Sequence, residues 1–515
     1  MACLLGLVCV GPSAASGDAI EAAREHRQQH GARILEQYAG FLSIPNTPQD
    51  PQGLRRTAEE VRSQLNARGV EARLWEIEGV APIVFGRLEV PESSRTIGIY
   101  AHYDGQPVDA DRWTQPPFQP TLYTRAIEAG GSPRPFPGPD EVIDPEWRIY
   151  ARSSGDDKAP FGALFAAFDA LSAAGIPPTS NLVFFFEGEE ERGSSHLGDY
   201  IDAHADELDV DLWLICDGPV HQSRRPQLVF GVRGITGLEI TVYGAERYLH
   251  SGHYGNWAPN PAMMLAQLLA SMKDSSGRVT IEGFYDSVEP LDEASQAALA
   301  RLPAIDEALR GELGLVRTEA DNAPLSERML LPSLNLRGMV SATVGPTARN
   351  VIPTVAQASL DIRLVKGNDP DRMLDLVEQH VRAQGYHIVR EDPDHATRLA
   401  HPRIAKIVRE EGYPAVRTPM DLPQIRPVID AARSAAGGEE LVLLPTLGGS
   451  LPLYLFERRL HKPLVIVPIA NHDNNQHGPD ENLRVANLWY GVDLFAALLT
   501  MPPPDSGERS VGATR

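Results

Sequence analysis

Cysteine is nearly absent: 515 residues hold three, Cys3, Cys9 and Cys216. The first two lie in a short apolar stretch at the N-terminus, so Cys216 stands alone in the rest of the chain. One thiol can form neither a disulfide framework nor a thiolate-rich zinc or iron–sulfur site. Positive charge is also scarce, 47 Lys and Arg against 69 Asp and Glu for a net charge of −22. That balance excludes nucleic acid and anionic membrane surfaces as partners. The N-terminal apolar run, Ala2 to Val10, is too short to span a bilayer. Sequence signatures of three rival chemistries are missing: no H-E-x-x-H, no G-x-S-x-G and no G-x-x-x-x-G-K. What is present, 42% apolar and 23% charged residues, is the composition of a globular chain with about two to four domains.

The most informative stretch runs from Asn181 to Ser194. Five consecutive apolar residues, Leu182 to Phe186, lead into four carboxylates over Glu187 to Glu191. The run predicts a strand buried on both faces. Acidic runs ordinarily sit on solvated surface, but open α/β sheets bind ligands at the carboxyl ends of their strands. Carboxylates crowded there repel one another unless cations hold them.

The same arrangement recurs. Thr96 to Ala101 predicts a strand that delivers His102 and Asp104 to one face, where Asp104 can orient the imidazole. Asp156 and Asp157 precede a helix predicted over Ala159 to Ala174. Asp211 to Cys216 predicts a strand ending at Asp217, and Pro463 to Ala470 another that feeds His477. Placed in one crevice, His102, Asp104, Asp156, Asp157, Glu190, Glu191, Asp217 and His477 form a nitrogen and oxygen donor set. Such a set suits zinc, manganese or cobalt in a hydrolytic site.

Texture divides the chain. Residues 1–20 read as a secretory leader, which points to a periplasmic or secreted protein; the missing positive n-region leaves a cytoplasmic enzyme with an uncleaved leader open. Residues 21–232 and 398–500 form a sheet domain in two parts. Between them, 233–397 reads as an inserted α+β domain with alternating strands, although Gly277 to Leu331 shows no assignable pattern. Helices are predicted over Ala19 to Leu42, Leu54 to Ala67, Leu197 to Leu208 and Asn482 to Leu499. Residues 501–515 read as a disordered tail.

Five motifs then occur in one order: His102-Tyr103-Asp104, Ser154-Gly155-Asp156-Asp157-Lys158, Glu187-Gly188-Glu189-Glu190-Glu191, Asp217, and His477-Gly478-Pro479-Asp480-Glu481-Asn482. Together, over roughly residues 25–500, they resemble the co-catalytic zinc peptidases and deacylases. That family includes carnosinase, Cys-Gly dipeptidases, glutamate carboxypeptidase, aminoacylase and acetylornithine deacetylase. The resemblance implies an α/β zinc-exopeptidase-like mixed sheet flanked by helices, with an inserted lid or dimerisation domain. It implies two divalent ions bridged by Asp156, one completed by His102 and Asp217 and the other by Glu191 and His477. Glu190 becomes the general base, Asp104 orients His102, and a cis peptide follows Asp156. In the segment Tyr248-Leu249-His250-Ser251-Gly252, with Tyr248 in place of the family's Asp, His250 becomes the residue that enters a partner subunit's site; this implies a homodimer. Arg363, Gly449 and Ser450 match substrate-binding positions. Thr446-Leu447 replaces the Arg-Glu that commonly precedes the Gly-Gly-Ser loop in dipeptidases. The expected activity is hydrolysis of dipeptides or short peptides, with N-acyl amino acid deacylation as the alternative on the same scaffold.

Overall fold

The structure, a computed structural model, describes residues 12–504. Its centre is an eight-stranded sheet in the order Glu71–Trp75, Ile83–Leu88, Asn181–Glu187, Thr96–His102, Leu212–Ile215, Leu464–Ile466, Gln227–Val229 and Val442–Leu444. The four strands from Asn181–Glu187 to Leu464–Ile466 are mutually parallel, and antiparallel pairings flank them, so the sheet is mixed.

Side-chain alternation explains the apolar runs. Phe184 and Phe186 enter one core with Ile97, Ile99, Leu212 and Leu214. Val183 and Phe185 enter a second, on the other face, with Tyr100, Trp213 and Ile215. A strand with both faces covered has no polar side to show, which is why the sequence there is continuously apolar. The first core is closed by helices Pro12–Leu42, Ala159–Ala174, Arg426–Ala435 and Val485–Leu499. The second is closed by helix Leu197–Ala203 and the segment around Leu453 to Leu460. Gly98 is obligatory in this packing, because a Cβ there would lie 2.3 Å from the Trp213 indole.

A second, five-stranded sheet has the order Ser333–Val340, Val355–Leu364, Gly234–Tyr243, Ile404–Tyr413 and His387–Val389. Helices Pro261–Ala270 and Pro370–Ala383 pack on it around a third core. Here the expected boundary fails. Ile404–Tyr413 pairs along Gly234–Tyr243, so this sheet runs past residue 397. Its signal is weak because half of it, from Val408 to Gly412, is exposed or half-buried, and a bulge between Ile235 and Gly237 breaks the register.

Other expectations are corrected. The predicted helix Asn482 to Leu499 is a strand, Asn482–Arg484, paired with Arg148–Tyr150, followed by the helix Val485–Leu499. The helix from Leu197 stops at Ala203. The unassigned middle contains four helices of four to seven residues between Glu293 and Arg328; too few residues lie in each to display a period. The first helix begins at Pro12 rather than Ala19, and Ala19 and Ile20 are buried in the first core, so the expected leader boundary at residue 20 falls inside a packed helix. Residues 1–11, with Cys3 and Cys9, lie outside the described residues, as do 505–515 of the expected tail. That tail begins later than residue 501: Met501 is buried, and Arg95 donates to the carbonyls of Met501 and Pro502. Among the described residues no helix is long and apolar enough to cross a membrane.

Candidate metal centre

Three central strands and two loops converge at one end of the large sheet. His102 closes its strand and is completely buried. Its Nδ1 lies 3.3 Å from Asp104 Oδ1, and its Nε2 lies 3.0 Å from Asp156 Oδ1 and 4.0 Å from Asp217 Oδ2. Asp217 follows the strand Leu212–Ile215 by two residues. On the other side, His477 Nε2 lies 3.0 Å from Asp156 Oδ2 and 3.3 Å from Glu191 Oε2. Asp156 thus turns one oxygen to each side. Two groups result, His102–Asp156–Asp217 and Asp156–Glu191–His477, each with ligand atoms within 4.8 Å of one another.

Glu190 and Glu191 do not sit at the strand end itself. The strand finishes at Glu187, and a 3-10 turn, Glu190–Arg192, presents them. Asp104 fixes that turn: its carboxylate accepts the backbone N–H of Glu190 at 3.3 Å and of Glu191 at 3.1 Å. The residue expected to orient His102 therefore also aims both glutamates. The peptide between Asp156 and Asp157 is cis.

The electrostatics follow from packing acids out of water. Burial pushes Asp217 up to about 6 and Glu191 up to about 8, with Asp156 adding to each. Glu190 is raised by burial, and Asp217 and Glu191 add to it. Asp156 alone ends below the carboxylate range, because hydrogen bonds from His102 and His477 outweigh its burial. Divalent cations remove this conflict, and the donors fit them: two imidazole nitrogens and three carboxylates with Asp156 shared. Cys216 is buried and belongs to neither group. These residues form a candidate dinuclear metal site.

The remaining expected residues fall in two places. Arg363 Nη1 donates to Ser450 Oγ at 2.7 Å, and the Gly449 carbonyl accepts the Arg233 N–H at 3.2 Å. The Arg363 pair lies where the second sheet meets the Gly-Gly-Ser loop. Tyr413 links this junction to the acids: burial raises its phenol, Glu190 raises it further, and Arg363 opposes both. His250 belongs to neither ligand group; it is exposed on the inserted unit, where its Nδ1 accepts the Gly252 N–H.

Sequence reasoning missed four supporting side chains. Gln106 Nε2 donates to Glu191 Oε2 at 2.7 Å, and Gln476 Nε2 approaches Asp156 Oδ2 at 3.3 Å. Arg152 Nη1 donates to Glu481 at 2.7 Å, and Glu481 also accepts the N–H of Asp156 at 2.9 Å. Only Glu481 had a signal, its place in the motif around His477.

Comparison with known proteins agrees with this geometry. The Cys-Gly metallodipeptidase DUG1 of Candida albicans is 28% identical over 430 residues, covering 81% of each chain. The human Beta-Ala-His dipeptidase is 26% identical over 433 residues, covering 81% of this chain and 77% of its own. Among solved structures, the M20 family metallo-carboxypeptidase Sso-CP2 from Sulfolobus solfataricus superposes with a TM-score of 0.72 at 26% identity, over 91% of this chain and 98% of its own. The profile of peptidase family M20/M25/M40 matches residues 98–501, and the chain belongs to that family.

Proposed function

We propose that this protein is a metal-dependent dipeptidase, a dinuclear exopeptidase that works as a homodimer. One observation carries the reading: Asp156 offers an oxygen to each of two ligand groups, with Glu190 adjoining both. His102 and Asp217 would hold one ion and Glu191 and His477 the other, zinc by donor set, with manganese or cobalt as alternatives. Ions bound there supply the Lewis acidity that makes water a nucleophile near neutral pH.

The chain's own residues do the rest. Glu190 takes the proton of the attacking water and returns it to the leaving amine. Asp104 keeps His102 and the Glu190–Glu191 turn in register for this. Arg363, held by Ser450, supplies a fork-shaped donor for a substrate carboxylate, and Gly449 leaves room beside it. His250, exposed and away from its own chain's ligand groups, enters the partner's site and stabilises the oxyanion. A substrate that meets both the metal centre and Arg363 would carry a free C-terminus. Dipeptides, the substrates named for the Candida and human relatives, meet that description.

The test is hydrolysis of a panel of dipeptides, longer peptides and N-acyl amino acids by zinc- or manganese-loaded protein, with a chelator-treated control. The expected result is metal-dependent cleavage of dipeptides, lost on blocking their carboxylate. Cleavage confined to N-acyl amino acids overturns the peptidase assignment in favour of deacylation.

A further inference from the structure

Two loops bring together the shared carboxylate and the more exposed imidazole. Residues 151–157 carry Asp156, and residues 471–481 carry His477. Neither has an ordinary backbone. Ser153 in the first has φ 63°, and Asn475, His477 and Asp480 in the second have φ 56°, 63° and 56°. Left-handed conformations are unfavourable for residues with a Cβ and persist only where surrounding contacts impose them.

Glu481 makes such a contact at Ser153 and joins the two loops. It is completely buried. Oε2 accepts Arg152 Nη1 at 2.7 Å and the Ser153 N–H at 2.9 Å, and Oε1 accepts the N–H of Gly155 at 2.8 Å and of Asp156 at 2.9 Å. Its own carbonyl accepts the Ala151 N–H at 3.1 Å, and Arg152 Nη2 reaches the Gly478 carbonyl at 3.1 Å. Four donors converge on one carboxylate and tie the two loops along their length. The bonded N–H groups belong to Ser153, Gly155 and Asp156 itself, and Glu481 is only four residues beyond His477.

We propose that Glu481 is a positioning residue for the metal centre: by clamping the Ser153–Asp156 turn to the His477 loop, it sets the spacing that lets a second ion bind beside the first. The proposal rests on the dinuclear reading and adds to it the residue that makes the second group, Asp156–Glu191–His477, a site.

Metal binding tests this apart from turnover. Metal-stripped wild type, E481Q and R148A are titrated with Co(II) against a chromophoric chelator, and their thermal melts are recorded. In E481Q an amide NH₂ faces two N–H donors, so half the clamp opens. R148A is the control, because Arg148 anchors the same loop through Asp473 and Asn482 without touching Glu481. The expected result is two ions per chain in wild type and R148A, and in E481Q a retained first ion with the second weakened about 10- to 100-fold. Two ions at wild-type affinity in E481Q overturn the proposal. So does an equal loss in R148A, which assigns the effect to general loop stability. A wild type that binds fewer than two ions overturns the dinuclear reading and the proposal with it. Should E481Q fail to fold, R152M, which removes one of the four donors, decides: a smaller loss at the second ion is expected, and unchanged affinity overturns the proposal.

Discussion

Two of the places where the protein buries acid treat it in opposite ways. In the inserted unit, Glu378 is 2% exposed and meets three arginines: Arg409 at 2.8 Å, Arg390 at 2.8 Å and Arg382 at 3.1 Å. Burial pushes its carboxyl up, but hydrogen bonds from Arg409 and Arg390 outweigh that and leave it below the glutamate range. At the end of the large sheet, Asp217, Glu190 and Glu191 are out of water too, and they rise. No arginine or lysine bonds to any of these three in the described residues. Glu378 receives its counter-charge from the chain itself, whereas the three acids at the sheet end receive none from Arg or Lys and gather where the two candidate ligand groups lie.

Four experiments test that contrast. The largest expected effect is on turnover: Glu190→Gln should keep both ions, by atomic absorption, yet lower kcat about 10²- to 10⁴-fold. Unchanged kcat would remove Glu190 as the base. Next is metal removal. Ions at about 100 times their Kd stabilise a fold by roughly 2.7 kcal/mol, so chelation should lower Tm while leaving helix content intact. The exposed side should empty first, since the His477 side chain is 54% exposed against 1% for His102.

A third experiment addresses the inserted unit. Glu378→Gln should destabilise the fold by about 1–3 kcal/mol, discounted because its arginines are partly in solvent, with metal content unchanged. The sign in pH follows from the depressed carboxyl. Glu378 stabilises fully above the ordinary glutamate range, and the contribution is lost as pH falls through its lowered folded value. The wild-type advantage over the variant in urea melts should therefore shrink on acidification. If it instead grew, Glu378 would not be paired as described. The smallest effect is expected at Arg363→Lys: charge stays but the fork is lost, and KM should rise about tenfold with little change in kcat.

Much of this was legible because the central strands have no solvent face. Leu182 to Phe186 could be read as a buried strand, and a polar residue just past such a strand has few structural reasons to be there. His102, at the last position of its strand, and Asp217, two past its own, follow that logic; the Glu190–Glu191 pair lies further on, in a 3-10 turn. Ile404–Tyr413 was not legible, since its exposed half reads as surface. Asn482–Arg484 was hidden for another reason: its pairing partner, Arg148–Tyr150, is remote in sequence, and the helix directly after it absorbs its signal. Glu481 shows the limit most clearly. It carries no periodicity, and three of its four donors are backbone N–H groups, one of them 326 residues away. An N–H looks the same in every sequence.

The order of ligands along the chain has a consequence for biogenesis. His102, Asp156, Glu191 and Asp217 all precede the second sheet, while His477 arrives only after that sheet and most of the remaining chain. A ribosome releasing this protein therefore emits four of the five residues of the two groups well before the imidazole that completes the second. Only the final loop and helix finish it. Completion of the second group is in that sense a mark of finished synthesis: a nascent or truncated chain ending before His477 holds the first group entire and the second one member short.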